Sequence, residues 1–218
     1  QAWFRGKYAE TIRPGKAGSE DKDFELIGSR FHSWFKDVHV KLFGLKTSDQ
    51  FYEFFKKDFP HFVKYYVEAY RLKNEFSKSY PHLYYINQWG IAQSLQDPLL
   101  LASITSSDDN ETVLSKFNAI ARFIETFTVR RSVNYRKFSQ ASIKYTMFNL
   151  MKLLRNSALD SLNSKLSKEI SEITEPWEGI TDFRWHGQNG RFIKHLLSRI
   201  SSFVDQSVGK DIQYPAYF

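Results

Sequence analysis

The chain has 218 residues, 42% of them hydrophobic and 25% charged, a formal net charge of +7 and no cysteine. Such a length and composition suit one sizeable globular domain or two small ones, and the missing thiols exclude disulfides, cysteine-based zinc sites and a cysteine nucleophile. No apolar run reaches the roughly 20 residues that span a bilayer, and no signal peptide opens the chain, so a soluble, cytoplasmic protein is expected.

Aromatic residues are over-represented, with 20 Phe, 12 Tyr and 5 Trp, which predicts a core built from large rings. Residues 1–20 mix charges with Pro14, Gly15 and Gly18 and read as a connector from a preceding domain. The start at Gln1, without a methionine, reads as a piece of a longer protein. From Asp23, the spacing of Ile27, Phe31, Trp34, Phe35, Val38 and Leu42 predicts a helix stopped by Gly44. Thr47 and Gln50 form a capping-box pattern for a second helix. Pro60 then fits the first position of a third, with Phe62, Val63, Tyr66, Val67 and Tyr70 as its core face. The stretch HLYYINQWG reads as a short helix ended by Gly90, and Asp97 with Pro98 as the start of PLLLASI.

The run SSDDN caps a long helix from Glu111 to about Asn134, whose stripe is Val113, Leu114, Phe117, Ile120, Ala121, Ile124 and Phe127. Ser139 is placed to cap a helix that turns Ile143, Met147, Leu150 and Leu154 inward. A more polar helix spans residues 158–170, and after the loop EPWEGITDFRWHGQNG, Asn189 is placed to cap GRFIKHLLSRISSFVDQ. The expected class is therefore all-α: an irregular bundle of about eight or nine helices around an aromatic-rich core. The helical domain runs from residue 21 to 218, divisible into 21–105 and 106–218.

Charge is concentrated. Between Lys116 and Arg155 stand nine basic residues (Lys116, Arg122, Arg130, Arg131, Arg136, Lys137, Lys144, Lys152, Arg155) against one acid, Glu125. Such an excess points to a polyanion or to an acidic neighbouring domain, and equally to solvated helix faces. Arg130 and Arg131 close the long helix, where its carbonyls favour cations. Arg131 leans toward the apolar stripe and should brace the following NYRKFSQ segment. Arg130, Arg136, Lys137 and Lys144 are the candidates for contact with phosphate. The rings and lysines of residues 51–90 fit either a single-stranded nucleic-acid platform or an amphipathic core helix. Six histidines show no metal-ligand spacing, and neither a phosphate loop nor a nucleophile elbow is present, so neither a metal nor another cofactor nor a catalytic residue is expected in this piece.

The segments DQFYEFFKKDFPHFVKYYVEAY, LYYIN, PLLLAS and KFNAIARFIETFTVRRSVNYR, with FELIGSRFHSWF before and QNGRFIKHLLSRI after, together resemble the helical region of GmrSD-type modification-dependent restriction proteins. In that family helices join a ParB-like nucleotide-hydrolysing domain to an HNH-type nuclease. The resemblance implies a noncatalytic module in anti-phage defence that positions those flanking domains and can contact duplex DNA. The parent would be an NTP-dependent DNA endonuclease. The DGQQR-type and HxxP-type motifs that carry the family's chemistry are absent from this chain, so no catalytic residue transfers. The other reading is a structural or protein-interaction domain with no nucleic-acid role.

Overall fold

The computed structural model describes residues 1–12, 23–91, 93–137, 139–185 and 189–218. Every regular element in them is a helix: α1 (Ala2–Tyr8), α2 (Asp23–Ser29), α3 (Phe31–Phe43), α4 (Ser48–Asn74), α5 (His82–Trp89), α6 (Gln93–Ser103), α7 (Asn110–Val133), α8 (Gln140–Leu154), α9 (Leu159–Ser171) and α10 (Gly190–Ser207), with 3-10 turns at Glu178–Ile180 and Tyr214–Ala216. The all-α expectation holds, and the described residues contain ten α-helices rather than eight or nine.

Four boundaries differ from the sequence reading. The connector expected over residues 1–20 contains α1, whose Trp3 and Phe4 are buried; the Pro14–Gly18 part lies outside the described residues. The helix from Asp23 divides at Arg30, whose φ of −129° is non-helical, just after Gly28 and Ser29. In contrast, Pro60 interrupts nothing, because α4 runs through it. A proline in a helix removes one bond to the carbonyl four residues back, and here that residue, Lys56, is exposed to water. Pro98 likewise sits inside α6.

The aromatic excess is used where α1, α3 and α4 meet. Trp3 stacks on Phe62 at 4.3 Å between ring centroids, while Phe4 contacts the rings of Phe31, Trp34, Phe35 and Phe43. The core face of α4 is Phe62, Tyr65, Ala69 and Leu72. Of the five residues expected there only Phe62 is buried, and Val63, Tyr66, Val67 and Tyr70 are exposed. Two apolar stripes run along this helix, and periodicity alone does not say which one is covered.

The centre of the fold is α6. Leu95 and the run Pro98–Ser103 are buried, so it is apolar nearly all round, the pattern of an enclosed helix. It packs against α1, α8, α4 and α7, while α7 in turn carries α5 and α9. The α1 crossing is close because Gly6 faces it: a Cβ there would stand 2.4 Å from the Pro98 carbonyl oxygen. The seven stripe residues of α7 and the four of α8 expected to be inward are all buried.

An enclosed helix end leaves carbonyls that water does not reach. Lys7 Nζ donates to the carbonyls of Ala102 (2.9 Å) and Ile104 (2.5 Å) and to Asn156 Oδ1. Lys116, fully buried, donates to Ser103 O at 3.3 Å and to Asp108 Oδ2 at 2.5 Å. The backbone N–H of Asn156 adds a bond to Ala102 O. The end of α6 is thereby capped from α1, from α7 and from the turn after α8.

Burial, then repulsion from Lys116, with Asp108 opposing and Arg155 adding, pushes the Lys7 amine down to about 7 from 10.5. The folded amine therefore holds its proton less well than the unfolded one, and between these limits the unfolded chain is the more protonated. Stability to urea should rise with pH from about 7 until tyrosine ionisation intervenes near 10. Lys7→Met should flatten that rise when unfolding is followed by circular dichroism; a slope unchanged in the variant would assign the proton uptake to another group.

Candidate functional site

The basic run between Lys116 and Arg155 is largely neutralised from within. Lys116 meets Asp108, Lys144 meets Glu25, and Lys152 and Arg155 both meet Glu10. Arg130, expected to face outward, instead closes the end of α9. Its Nε donates to Glu175 O at 2.6 Å, and its other nitrogens donate to Ile173 O at 2.8 Å and Ile170 O at 3.2 Å. The Trp177 ring lies 5.7 Å from its guanidinium. Arg131 donates twice to Lys137 O, at 2.9 and 2.7 Å, and pairs with Glu175 at 3.0 Å, tying the turn after α7 to the loop after α9. Arg122, Arg136 and Lys137 are exposed, and their side chains make no ion pair among the described residues. Of the four candidates for phosphate contact, the structure leaves Arg136 and Lys137 together in one exposed turn, with Arg130 and Lys144 occupied elsewhere.

Histidines with no motif spacing converge in space. Glu125, buried on α7, has Oε2 2.7 Å from His82 Nδ1 of α5, and its Oε1 is 2.8 Å from Arg199 Nε of α10. His195 Nε2 is 3.2 Å from the same Oε1, off the hydrogen-bond line. A carboxylate favours the proton on the nitrogen facing it, which leaves His195 Nδ1 to accept from the Tyr214 hydroxyl at 3.0 Å. Arg199 also lies 4.0 Å from the centre of the Tyr85 ring.

Burial pushes the Glu125 carboxyl up, but the contacts from His195 and His82 and the charge of Arg199 outweigh it and hold the group well below the ordinary carboxylate range. Burial, with Glu125 nearby, raises the Tyr214 phenol. The two imidazoles approach opposite oxygens of one carboxylate at hydrogen-bond range, so the geometry is that of a charge-assisted network joining four segments; no metal-holding group of His, Cys, Asp and Glu occurs among the described residues. Spacings of 43 and 70 residues gave the sequence no signal for this cluster.

The third feature is an inverted helix. The buried side of α10 is Phe192, His195, Ser198 and Ser202. Its other side presents Leu197 (57% exposed), Ile200, Phe203 (71% exposed), Val204 and, just beyond, Val208 to solvent. Along α4 a second apolar stripe, Tyr52, Phe55, Phe59, Val63, Tyr66 and Tyr70, is exposed over five turns. Its middle borders a groove of about 470 Å³ with Trp3 and Pro98 on the other walls. Large exposed apolar patches mark interaction surfaces more often than isolated exposed side chains do.

The fold and these surfaces define the chain as an all-α helical bundle with two uncovered apolar helix faces. Comparison with protein-family models, curated proteins and solved structures returns no match.

Glu125→Gln should lower stability at pH 7 by about 3–5 kcal/mol, since it leaves a half-buried arginine facing a neutral amide. The wild-type contribution is fully present above the unfolded carboxyl value of 4.5 and drains away as acid approaches the lower folded value. Urea titrations should therefore show the gap between the two proteins constant from pH 7 to about pH 5 and narrowing from there to pH 3; a gap of the same size at pH 3 as at pH 7 would show that the carboxylate charge is not what the network uses.

Proposed function

We propose that this chain is a noncatalytic interaction module that holds neighbouring protein domains through its uncovered helix faces. The observation that carries the reading is α10, which buries His195, Ser198 and Ser202 beside Phe192 and exposes Leu197, Ile200, Phe203 and Val204. A helix with that distribution is stable in water only if its polar side finds partners, as Glu125 and Tyr214 supply here, and the apolar side then remains available to a protein surface. Under the resemblance to GmrSD-type proteins, the occupants are the nucleotide-hydrolysing and nuclease domains of the same polypeptide, and the module fixes their relative placement.

Leu197→Asp with Phe203→Asp tests this. Both side chains are exposed, so melting temperature and helical content should stay near wild type, while association with the separately expressed neighbouring domains, read by size-exclusion chromatography with light scattering, should weaken by about ten-fold or more. Association that survives the double substitution would remove α10 as the docking face.

A second reading, contact with the DNA backbone, is favoured by one observation: Arg136 and Lys137 project from the turn that Arg131 braces. Two phosphate contacts give a shallow dependence of affinity on salt, with a slope of about −2 in log units. Fluorescence anisotropy with plain and base-modified duplex at several salt concentrations measures that slope, and Arg136→Ala with Lys137→Ala should abolish it. Absence of binding at low salt would leave the protein-docking role alone.

A further inference from the structure

A cleft of about 490 Å³ opens between α7 and α9, closed at one end by Ser79 and Tyr80. Its rim is polar on both sides. From α7 come Ser115, Asn118 and Arg122, one helical turn apart, and from α9 come Asn163 and Ser167. Its floor is apolar, formed by Phe123, Leu166 and Ile170. A concave site with an apolar base and a few convergent polar groups is the usual form of a small-molecule site.

Three features distinguish this cleft from a crevice between packed helices. First, the clefts beside Asp97, Asp58 and Glu10 each carry a carboxylate, whereas this one has a guanidinium and no acid. Second, its polar groups are uncommitted. Arg30, Arg122 and Arg136 are the described arginines whose guanidinium lacks a hydrogen-bond partner, and of these Arg122 lines the cleft. Ser115, Asn163 and Ser167 likewise make no side-chain hydrogen bond among the described residues. Third, Asn118 is oriented: its Oδ1 accepts from the backbone N–H of His82 at 3.1 Å, which leaves its Nδ2 as a donor with no bond among the described residues. The walls therefore offer a five-donor planar cation, an oriented amide donor, a second amide and hydroxyls.

From this arrangement we infer that the α7–α9 cleft binds a small phosphorylated sugar. The Arg122 fork matches two oxygens of a phosphate monoester. Hydroxyls and amides on the facing rims are suited to sugar hydroxyls, since each can donate and accept. Tyr80 supplies the ring against which the carbon face of a sugar packs. A larger polyanion fits less well, because only one positive charge lines the cleft. The inference is independent of the docking role of α10, which lies on other residues.

The test is isothermal titration of the intact chain with ribose 5-phosphate, with ribose and inorganic phosphate as controls, beside Arg122→Ala and Arg30→Ala. Ribose 5-phosphate should bind saturably, and more tightly than either control. Arg122→Ala should weaken it about ten-fold or more, and Arg30→Ala should leave it unchanged. The Arg122 and Arg30 side chains are both exposed and make no ion pair or hydrogen bond among the described residues, so both variants should fold as wild type does, which a melting curve verifies. No saturation at millimolar sugar phosphate, or equal binding by inorganic phosphate, overturns the inference. So does binding that ignores Arg122→Ala. Duplex DNA that binds through Arg122 more tightly than ribose 5-phosphate would also overturn it, by making the cleft a nucleic-acid contact.

Discussion

The fold depends on enclosing the end of a helix that carries no charged side chain there to help it. α6 is surrounded, so the carbonyls of Ala102, Ser103 and Ile104 emerge where bulk water cannot serve them. The chain meets this by bringing two lysine amines and one backbone amide to that point, from three segments far apart in sequence. An ammonium with three donors answers several acceptors at once, and Asp108 compensates the nearby charge of Lys116. The same requirement orders the assembly. α1 must cross α6 closely enough for Lys7 to arrive, which is why Gly6 stands at the crossing, and α7 must start where Lys116 reaches back past the Asp109 cap.

Sequence reasoning reached the parts of this fold where one physical signal acts alone. On α7 and α8 an apolar stripe runs at helical period and all of its expected residues are buried, although α7 also buries Lys116, Phe123, Glu125 and Val129 off that stripe. The Thr47–Gln50 capping box and the helix-stopping glycines with positive φ, Gly44 at 65° and Gly90 at 78°, are local chemistry and were equally legible. α4 was not, because aromatic residues occupy two of its faces and hydrophobicity does not distinguish a ring held in the core from one left outside. Pro60 misled for a related reason: its usual effect as a helix breaker is weak where the released carbonyl faces solvent.

The electrostatics were legible as residues and illegible as pairs. A count over residues 116–155 finds one acid, but the acids that matter come from outside that window. Glu10 is 145 residues from Arg155, and Glu25 is 119 from Lys144. Glu125, the acid inside the window, turns toward α10 instead. A charge run in a sequence is thus an upper bound on the field at the folded surface, and Arg130 illustrates the difference, since its guanidinium completes α9 as a C-terminal cap. By the same logic the scattered histidines acquire a role through their distance to one carboxylate.

The inverted packing of α10 also bears on how the native state fluctuates. A helix fastened by Phe192, by the partly buried Ile193 and Leu196, and by polar bonds through Arg191, His195, Arg199 and Ser202 buries fewer apolar side chains than α6 or α7, and that burial is what makes opening costly elsewhere in the molecule. α10 should therefore detach in a sub-global opening while α6 and α7 stay folded, so that its amides exchange with solvent hydrogen well before theirs do. A partner covering Leu197 and Phe203 would close that opening, converting the most loosely attached helix of the isolated chain into a part that is rigid only in the assembly.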